Sequence, residues 1–253
     1  MDLYNDDCFN VFPKIKDKSI DLFVLDLPYA NFKFGNCTAC KWDLPIDLDK
    51  MWIEIKRMMK PNAVIVFFCN TKFGYALIDS NPKWFKYDLI WKKSRKVGFL
   101  NANKQPLRQH ENIYIFNNQK TTYNPQKTEG HKSRDRSKNK KGIIHNIYGT
   151  VNLDNSKNTT DKRHPSSILP DIDIESTILE YNNPHKTIHR TQKPEKLLEW
   201  LIKTYSNEND IIMDFCMGSG TSAVASKNTN RKFIGIEKDK EIFKLAKKRI
   251  EKL

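Results

Sequence analysis

The sequence predicts an α/β fold, because short apolar runs that suit buried strands alternate with segments of helical periodicity. Two of these runs, 20–25 and 211–213, each end at an aspartate, Asp26 and Asp214. A third run, 233–236, ends at Glu237. Open α/β sheets bind their ligands at the carboxyl ends of the strands, so these acids mark the expected site.

The rest of the pattern divides one domain of 253 residues into three stretches. Residues 1–116 also predict strands at 63–68, 87–91 and 112–116, and a helix with the apolar stripe Met51, Ile55, Met58 and Met59. From 117 to 184 the periodicity weakens and polar residues dominate, which indicates an insertion. Residues 185–253 return to the α/β pattern and end in a helix that Asp239 caps, with the apolar face Ile242, Leu245, Ala246 and Ile250.

The glycine loop, Asp214–Thr221, lies between a predicted strand and a helix of small residues. Gly218 and Gly220 allow positive backbone dihedrals, and the helix start offers unpaired N–H groups to a nucleotide-like ligand. Glu237 follows Asp214 by 23 residues, near the separation of about 20 expected of an acid that binds ribose hydroxyls. The alternative for Gly-Ser-Gly alone is an ordinary strand-to-helix connection, but with Glu237 the pattern favours a cofactor site.

The proline loop, Asp26-Leu27-Pro28-Tyr29, follows the first buried strand. By itself it is also typical of a strand that ends in a proline turn. Two further motifs accompany the loops: Tyr4-Asn5-Asp6-Asp7-Cys8 near the start, and Thr191-Gln192-Lys193-Pro194 before an apolar helix. Together, in this order, the four motifs resemble those of DNA adenine-N6 methyltransferases of the permuted beta class, which phages and bacterial restriction–modification systems often encode.

The resemblance covers most of the chain and implies a Rossmann-like, S-adenosylmethionine-dependent methyltransferase fold. Such a fold has a mixed, mostly parallel sheet, and the stretch 117–184 would be the inserted target-recognition region. The resemblance also implies S-adenosyl-L-methionine as the cofactor, with the binding residues Asp7, Cys8, Lys193, Asp214, Cys216, Gly218, Ser219, Gly220, Thr221 and Glu237.

The implied reaction is direct methyl transfer to adenine N6 in double-stranded DNA after the base is flipped out. The Asp26 carboxylate and the Leu27 carbonyl would each accept one amino hydrogen and so localise the lone pair on the nitrogen. Pro28 would stiffen the loop, and Tyr29 would stack on the base. Cytosine-N4 methylation uses the same geometry and remains the alternative, followed by an inactive DNA-binding relative.

Two positions depart from the family pattern. Leu27 replaces the commonest proline, but the group used there is a backbone carbonyl, so we expect the change to be tolerated. The glycine loop often carries phenylalanine two places after its aspartate, whereas here that place is Cys216, with Phe215 before it. The sequence leaves open which of these two side chains packs on the cofactor.

The net charge of +14 and the pI of about 9.4 favour a polyanionic partner, although a solvated lysine-rich surface is the alternative. Six cations with no acid among them are predicted to contact DNA: Lys92, Lys93, Arg95, Lys96, Lys104 and Arg108. A second basic stretch, 127–141, suits a mobile arm. A homodimer is left open.

The five cysteines favour neither a disulfide framework nor a metal site. Cys37 and Cys40 form a single CxxC pair, while structural zinc usually needs a second pair of ligands, so we expect no metal. The polar start of the chain is unlike a signal peptide, and no apolar run approaches membrane-spanning length. We therefore expect a cytoplasmic protein with no membrane partner.

Overall fold

The computed structural model describes residues 1–30, 44–127, 143–146, 149–152, 178–181 and 192–252. The chain divides into two compact units, one of 1–124 with 177–253 and one of 125–176. The strands of the larger unit are β1 (Asp2–Tyr4), β2 (Ile20–Leu25), β3 (Met59–Cys69), β4 (Phe85–Val97), β5 (Arg108–Phe116), β8 (Ile178–Tyr181), β9 (Ile211–Asp214) and β10 (Lys232–Ile236). The smaller unit holds the antiparallel pair β6 (Ile143–Asn146) and β7 (Gly149–Asn152).

The larger unit is built on one eight-stranded sheet with the order β1-β10-β9-β2-β3-β5-β4-β8. Five neighbouring strands pair in parallel, namely β1, β10, β9, β2 and β3. Strand β5 is antiparallel to both β3 and β4, and β8 is parallel to β4. This confirms the predicted mixed, mostly parallel sheet. The predicted limits of the insertion, 117–184, stay a prediction, since most of that stretch lies outside the described residues.

Helices cover both faces of the sheet. Adjacent residues of each central strand point to opposite faces, so each of these strands contributes side chains to two cores. Val24 and Val66 share one core with residues of α4 (Glu195–Tyr205), α5 (Thr221–Asn228) and α6 (Lys240–Glu251). Leu25 and Phe67 share the other with residues of α1 (Cys8–Val11), α2 (Leu48–Met58) and α3 (Thr71–Ser80). Continuous apolar strands are therefore buried on both sides, as the sequence indicated.

Two details of the helix predictions need correction. The predicted cap is confirmed, since the Asp239 carboxylate accepts hydrogen bonds from the first turn of α6. Leu245, however, is exposed, because it lies at the edge of the apolar stripe rather than over the buried Ala246 and Ile250. Met59 is buried as expected but begins β3 instead of extending α2.

The chain changes direction across the sheet between β2 and β9. From β2 it continues to its neighbour β3 on one side, and from β9 it continues to β10 on the other side. Ligands in open α/β sheets bind at such a switch point, outside the carboxyl ends of the strands. The pairing of Phe23 with Met213 brings the ends of β2 and β9, and with them Asp26 and Asp214, to the same edge.

Candidate active site

A cavity of about 1210 Å³ lies at this switch point. It exceeds the roughly 300–1,000 Å³ of common small-molecule sites, so it can hold more than one chemical group. All four predicted catalytic residues and most of the predicted cofactor residues form its wall, namely Asp7, Cys8, Asp26, Leu27, Pro28, Tyr29, Lys193, Asp214, Cys216, Gly218, Ser219, Thr221 and Glu237. Folding therefore brings together motifs from both ends of the chain.

Asp214 is buried and fixes the start of the glycine loop. Its Oδ1 accepts a hydrogen bond from the Cys216 backbone N–H at 3.0 Å, and its Oδ2 accepts one from the Ser222 hydroxyl at 2.6 Å. Burial raises the pKa of the Asp214 carboxyl to about 7, and these hydrogen bonds only partly oppose the rise. The residue thus organises the turn.

Gly218 and Glu237 form the part of the cavity that fits a nucleoside. The Gly218 N–H donates to Glu237 Oε2 at 2.9 Å, and the Asp239 N–H donates to Oε1 at 2.8 Å. Glu237 also lines the cavity, where a carboxylate can accept hydrogen bonds from ribose hydroxyls. Gly218 has a φ of 51°, and a Cβ there would meet nothing within 4 Å, so the backbone faces open space. These features fit a cofactor with a free ribose.

Gly220 has a different place from the one predicted. It lies behind the cavity wall, where a Cβ would come within 3.0 Å of Ile250 Cδ1. Its φ of 74° also favours glycine. This residue therefore permits the turn and the close approach of α6, while Gly218 faces the ligand space.

The two side chains of the glycine loop that the sequence left open, Phe215 and Cys216, both line the cavity but differ in burial. Phe215 is buried, with its ring 5.2 Å from that of Phe12 and nearly perpendicular to it. Cys216 keeps partial exposure at the cavity. Burial raises the pKa of the Cys216 thiol, and burial also raises the pKa of the Cys8 thiol to about 12. Neither cysteine is poised as a thiolate nucleophile, which agrees with transfer that needs no covalent intermediate.

In the proline loop, Asp26 is held by two side chains. The Lys193 ammonium contacts Asp26 Oδ2, and the Tyr29 hydroxyl donates to Oδ1 at 3.0 Å. Burial raises the pKa of the Asp26 carboxyl, and the Lys193 charge opposes that rise. Burial alone would lower the pKa of Lys193, but Asp26 and Glu111 raise it above its usual value. Lys193 is therefore a charged partner of Asp26, and its predicted contact with the cofactor stays a prediction.

Glu111 is a site residue that sequence reasoning missed. It lies on β5 opposite Trp91 of β4 and lines the cavity. Its Oε1 is 3.3 Å from Lys93 Nζ and its Oε2 is 3.8 Å from Lys193 Nζ. Burial alone would raise the pKa of Glu111, but the two lysines outweigh it and lower the pKa. Among the described residues, Oε2 is buried without a hydrogen-bond partner.

The predicted DNA-binding cations do not all face the same way. Lys92, Arg95, Lys96 and Lys104 are exposed. Lys93 is not a surface phosphate contact, because strand alternation turns it inward onto Glu111, with Nζ 4.9 Å from the centre of the Trp91 ring. Arg108 is half-buried and donates from Nε to the His110 carbonyl at 3.1 Å. Both residues were predicted to contact DNA from their charge alone, and charge does not show which way a side chain points.

The remaining predictions concern the cysteine pair, the second basic stretch, metals and the membrane. The Cys37 and Cys40 pair lies outside the described residues, as does most of the basic stretch 127–141. No cluster of three or more metal-ligating side chains occurs in the described parts of the chain. Within the same parts, none of the helices has the length and apolar character needed to cross a membrane.

With this geometry established, comparison with known proteins gives the family. The DNA methylase family model, which covers N6 and N4 methyltransferases, matches residues 20–248. This chain belongs to the DNA methylase family. It is an S-adenosylmethionine-dependent type II DNA methyltransferase of the restriction–modification kind. The recognition from sequence is thereby confirmed at the family level.

Several relatives and solved structures match this chain along most of its length. The type II methyltransferase M.HpaI of Haemophilus parainfluenzae is 28% identical over 96% of this chain and 73% of its own length. M1.MboII of Moraxella bovis is 29% identical over 92% of this chain and 90% of its own. The solved complex of M1.HpyAVI with SAM has a TM-score of 0.61 and 26% identity, with 98% of each chain covered. The cytosine-N4-specific PvuII methyltransferase, at 15% identity and a TM-score of 0.63, shows the shared fold alone.

Proposed function

We propose that this methyltransferase modifies adenine N6 at a specific site in double-stranded DNA, after the base has been flipped into the cavity. The observation that carries the proposal is Asp26, a partly buried acid at the cavity wall beside the glycine loop. A carboxylate can accept an amino hydrogen, whereas relatives specific for cytosine N4 are expected to carry serine at this place. The motif order, with the proline loop first, supports the beta class.

The residues of this chain would act on the acceptor amine. The lone pair of that amine is delocalised into the adenine ring, which makes it a poor nucleophile. Asp26 and the Leu27 carbonyl would each accept one hydrogen and orient the nitrogen. Glu237, Gly218 and Asp7 would hold S-adenosylmethionine, which when bound supplies the electrophilic methyl group.

The Lys193 ammonium favours the ionised form of Asp26 and also lies near a second carboxylate, that of Glu111. Each oxygen of Asp26 already has a side-chain partner, Tyr29 on Oδ1 and Lys193 on Oδ2. An arriving amine would compete with these partners for the remaining lone pairs. Glu111 Oε2, 3.8 Å from Lys193 Nζ, offers that ammonium a second carboxylate to move towards. We therefore assign Glu111 and Lys193 to positioning of the acceptor site.

Tyr29 is proposed to stack on the flipped base. Its ring already lies against Phe73, with centroids 5.6 Å apart and planes inclined by 20°. Phe73 supports one face of the ring, and we place the base on the opposite face. Burial raises the pKa of the Tyr29 hydroxyl, so it stays protonated and can donate to Asp26. Base stacking of this kind contributes roughly 1–3 kcal/mol.

Single-molecule methylome sequencing of DNA from a methylation-free bacterial host that expresses the protein tests the proposal. We expect N6-methyladenine at one short sequence, and none in a host that expresses Asp26→Ala. N4-methylcytosine instead would support the alternative specificity. If neither base is modified, calorimetry with S-adenosylmethionine separates a silent enzyme, which binds it, from an inactive DNA-binding relative that does not. Methylation of host DNA would also support the predicted cytoplasmic location.

A further inference from the structure

The connection between β4 and β5 carries two exposed apolar side chains at its tip. Phe99 is 77% exposed and Leu100 is 83% exposed, which are the highest values among the large hydrophobic residues that the structure describes. Exposure of both side chains costs free energy in water, at about 25 cal/mol for each Å² of apolar surface. Adjacent exposed residues of this kind indicate a contact surface.

The tip has a defined shape of its own. Phe99–Asn101 form a short 3-10 helix, which begins after Gly98 with its φ of 91°. Backbone N–H groups of Asn101 and Ala102 donate to the carbonyls of Gly98 and Phe99 at 2.9 and 3.0 Å. Lys104 and Gln105 donate to the Asn101 carbonyl at 2.9 and 3.0 Å. The backbone therefore presents Phe99 and Leu100 on a folded turn.

The surroundings of the tip favour nucleic acid as its partner. Arg95, Lys96 and Lys104 are exposed near it in the chain, and no acid occurs between Lys92 and Arg108. The same hairpin also forms part of the active-site cavity, since Trp91, Lys93, Val97 and Glu111 line it. A target base has to enter that cavity while its phosphates stay outside. At the end of this hairpin, the cations can contact phosphates of a duplex and the apolar side chains can contact its bases, at the point where the target base enters the cavity.

We propose that Phe99 and Leu100 are a wedge that enters the duplex beside the target base and fills the gap in the stack while that base occupies the cavity. This inference rests on the proposed base-flipping function. Apolar side chains inserted between base steps unstack them, and contacts with the bent duplex offset the lost stacking. Arg95, Lys96 and Lys104 would hold the flanking phosphates.

The test compares two duplexes that contain the sequence found by methylome analysis. One has the target adenine paired, and the other has an abasic site opposite it, so that its opening cost is already reduced. We expect Phe99→Ala/Leu100→Ala to lower kcat/KM on the paired duplex at least about tenfold, because no side chain then offsets the lost stacking, and to leave the abasic duplex within about threefold of wild type. Activity of the wild-type protein on either duplex tests the proposed function separately.

The matched control is Ile53→Ala/Tyr75→Ala, which removes one aliphatic and one aromatic side chain that are 64% and 53% exposed elsewhere. It should behave as wild type on both duplexes. Equal loss by the wedge variant on both duplexes, or none on the paired duplex, would overturn the proposal. So would binding to anionic phosphatidylserine vesicles that depends on Phe99 and Leu100 while methylation of the paired duplex does not. Melting temperature and cofactor affinity confirm that each variant is folded.

Discussion

The glycine loop and the proline loop lie at the ends of neighbouring strands but hold their acids by different means. In the first, Asp214 accepts hydrogen bonds from the Cys216 backbone N–H and the Ser222 hydroxyl, and Glu237, which follows β10, accepts them from the backbone N–H groups of Gly218 and Asp239. In the second, Asp26 is held by the Lys193 ammonium and the Tyr29 hydroxyl, both on rotatable side chains. The proposed cofactor site can be ordered before the ligand arrives, whereas the proposed acceptor site would exchange side-chain partners when the amine binds.

The groups that oppose the rise in pKa also differ between the two aspartates. Burial raises the pKa of Asp214 to about 7, and the groups that oppose this rise are hydrogen bonds. Burial also raises the pKa of Asp26, but the Lys193 charge in contact with it opposes the rise. A charge partner favours the ionised form, which is the hydrogen-bond acceptor. We therefore propose that Asp214 orders the turn and that Asp26 is the acid that meets the acceptor amine.

The largest expected effect comes from Asp26→Ala. Loss of a positioned charge partner at the reacting centre should lower the rate of methyl transfer at least about 100-fold, while S-adenosylmethionine affinity stays within about threefold. Single-turnover kinetics and calorimetry measure the two quantities. Asp26→Asn is the matched variant, because it keeps an acceptor oxygen but not the charge, and should retain more activity. Wild-type turnover in Asp26→Ala would contradict the assignment.

Glu237→Ala should act on cofactor binding. Removal of a hydrogen bond to a charged group costs roughly 1.5–3 kcal/mol, so the affinity for S-adenosylmethionine should fall by that amount while the protein stays folded. Calorimetry gives the affinity, and thermal unfolding gives the fold. The control is Glu241→Ala, an exposed acid on α6 that pairs with Lys244. Unchanged affinity in Glu237→Ala would remove this acid from the site.

Asp214→Asn tests the structural acid through pH. The folded protein binds the Asp214 proton more tightly than the unfolded chain does, since burial raises its pKa from 3.8 to about 7. The stability from this proton is complete below 3.8 and is lost as the pH rises through about 7. Relative to the variant, the wild-type free energy of unfolding should fall by up to about 1.4 kcal/mol per pH unit in that window. Urea unfolding without cofactor measures this, and parallel curves would refute it.

The smallest effect concerns the outer surface of the hairpin. Lys92, Arg95 and Lys96 replaced by glutamine should lower the slope of log affinity against log salt by about 0.9 for each phosphate that the protein no longer neutralises. Lys93 is left in place, because it pairs with Glu111. The control neutralises the same number of charges on α6, at the exposed residues Lys244, Lys247 and Lys248. If both variants keep the wild-type slope, the hairpin charges are only solvated surface.

The sequence predicted those site residues that lie at the carboxyl ends of strands. Asp26, Asp214 and Glu237 each come directly after or at the end of an apolar run, and parallel strands bring such positions to one edge. Glu111 was missed because its place depends on the antiparallel pairing of β5 with β4, which no local pattern encodes. The available signal was an acid two residues before the apolar run 113–116. Lys93 was misassigned because composition does not show which face of a strand is covered.

The separation of tasks between the two loops is tested most directly by single-turnover methylation at saturating S-adenosylmethionine. Under that condition a defect in cofactor binding is compensated by mass action, whereas a defect in acceptor activation is not. We predict that Glu237→Ala recovers a rate near that of wild type and that Asp26→Ala remains at least about 100-fold slower. Recovery of both variants, or of neither, would contradict the account.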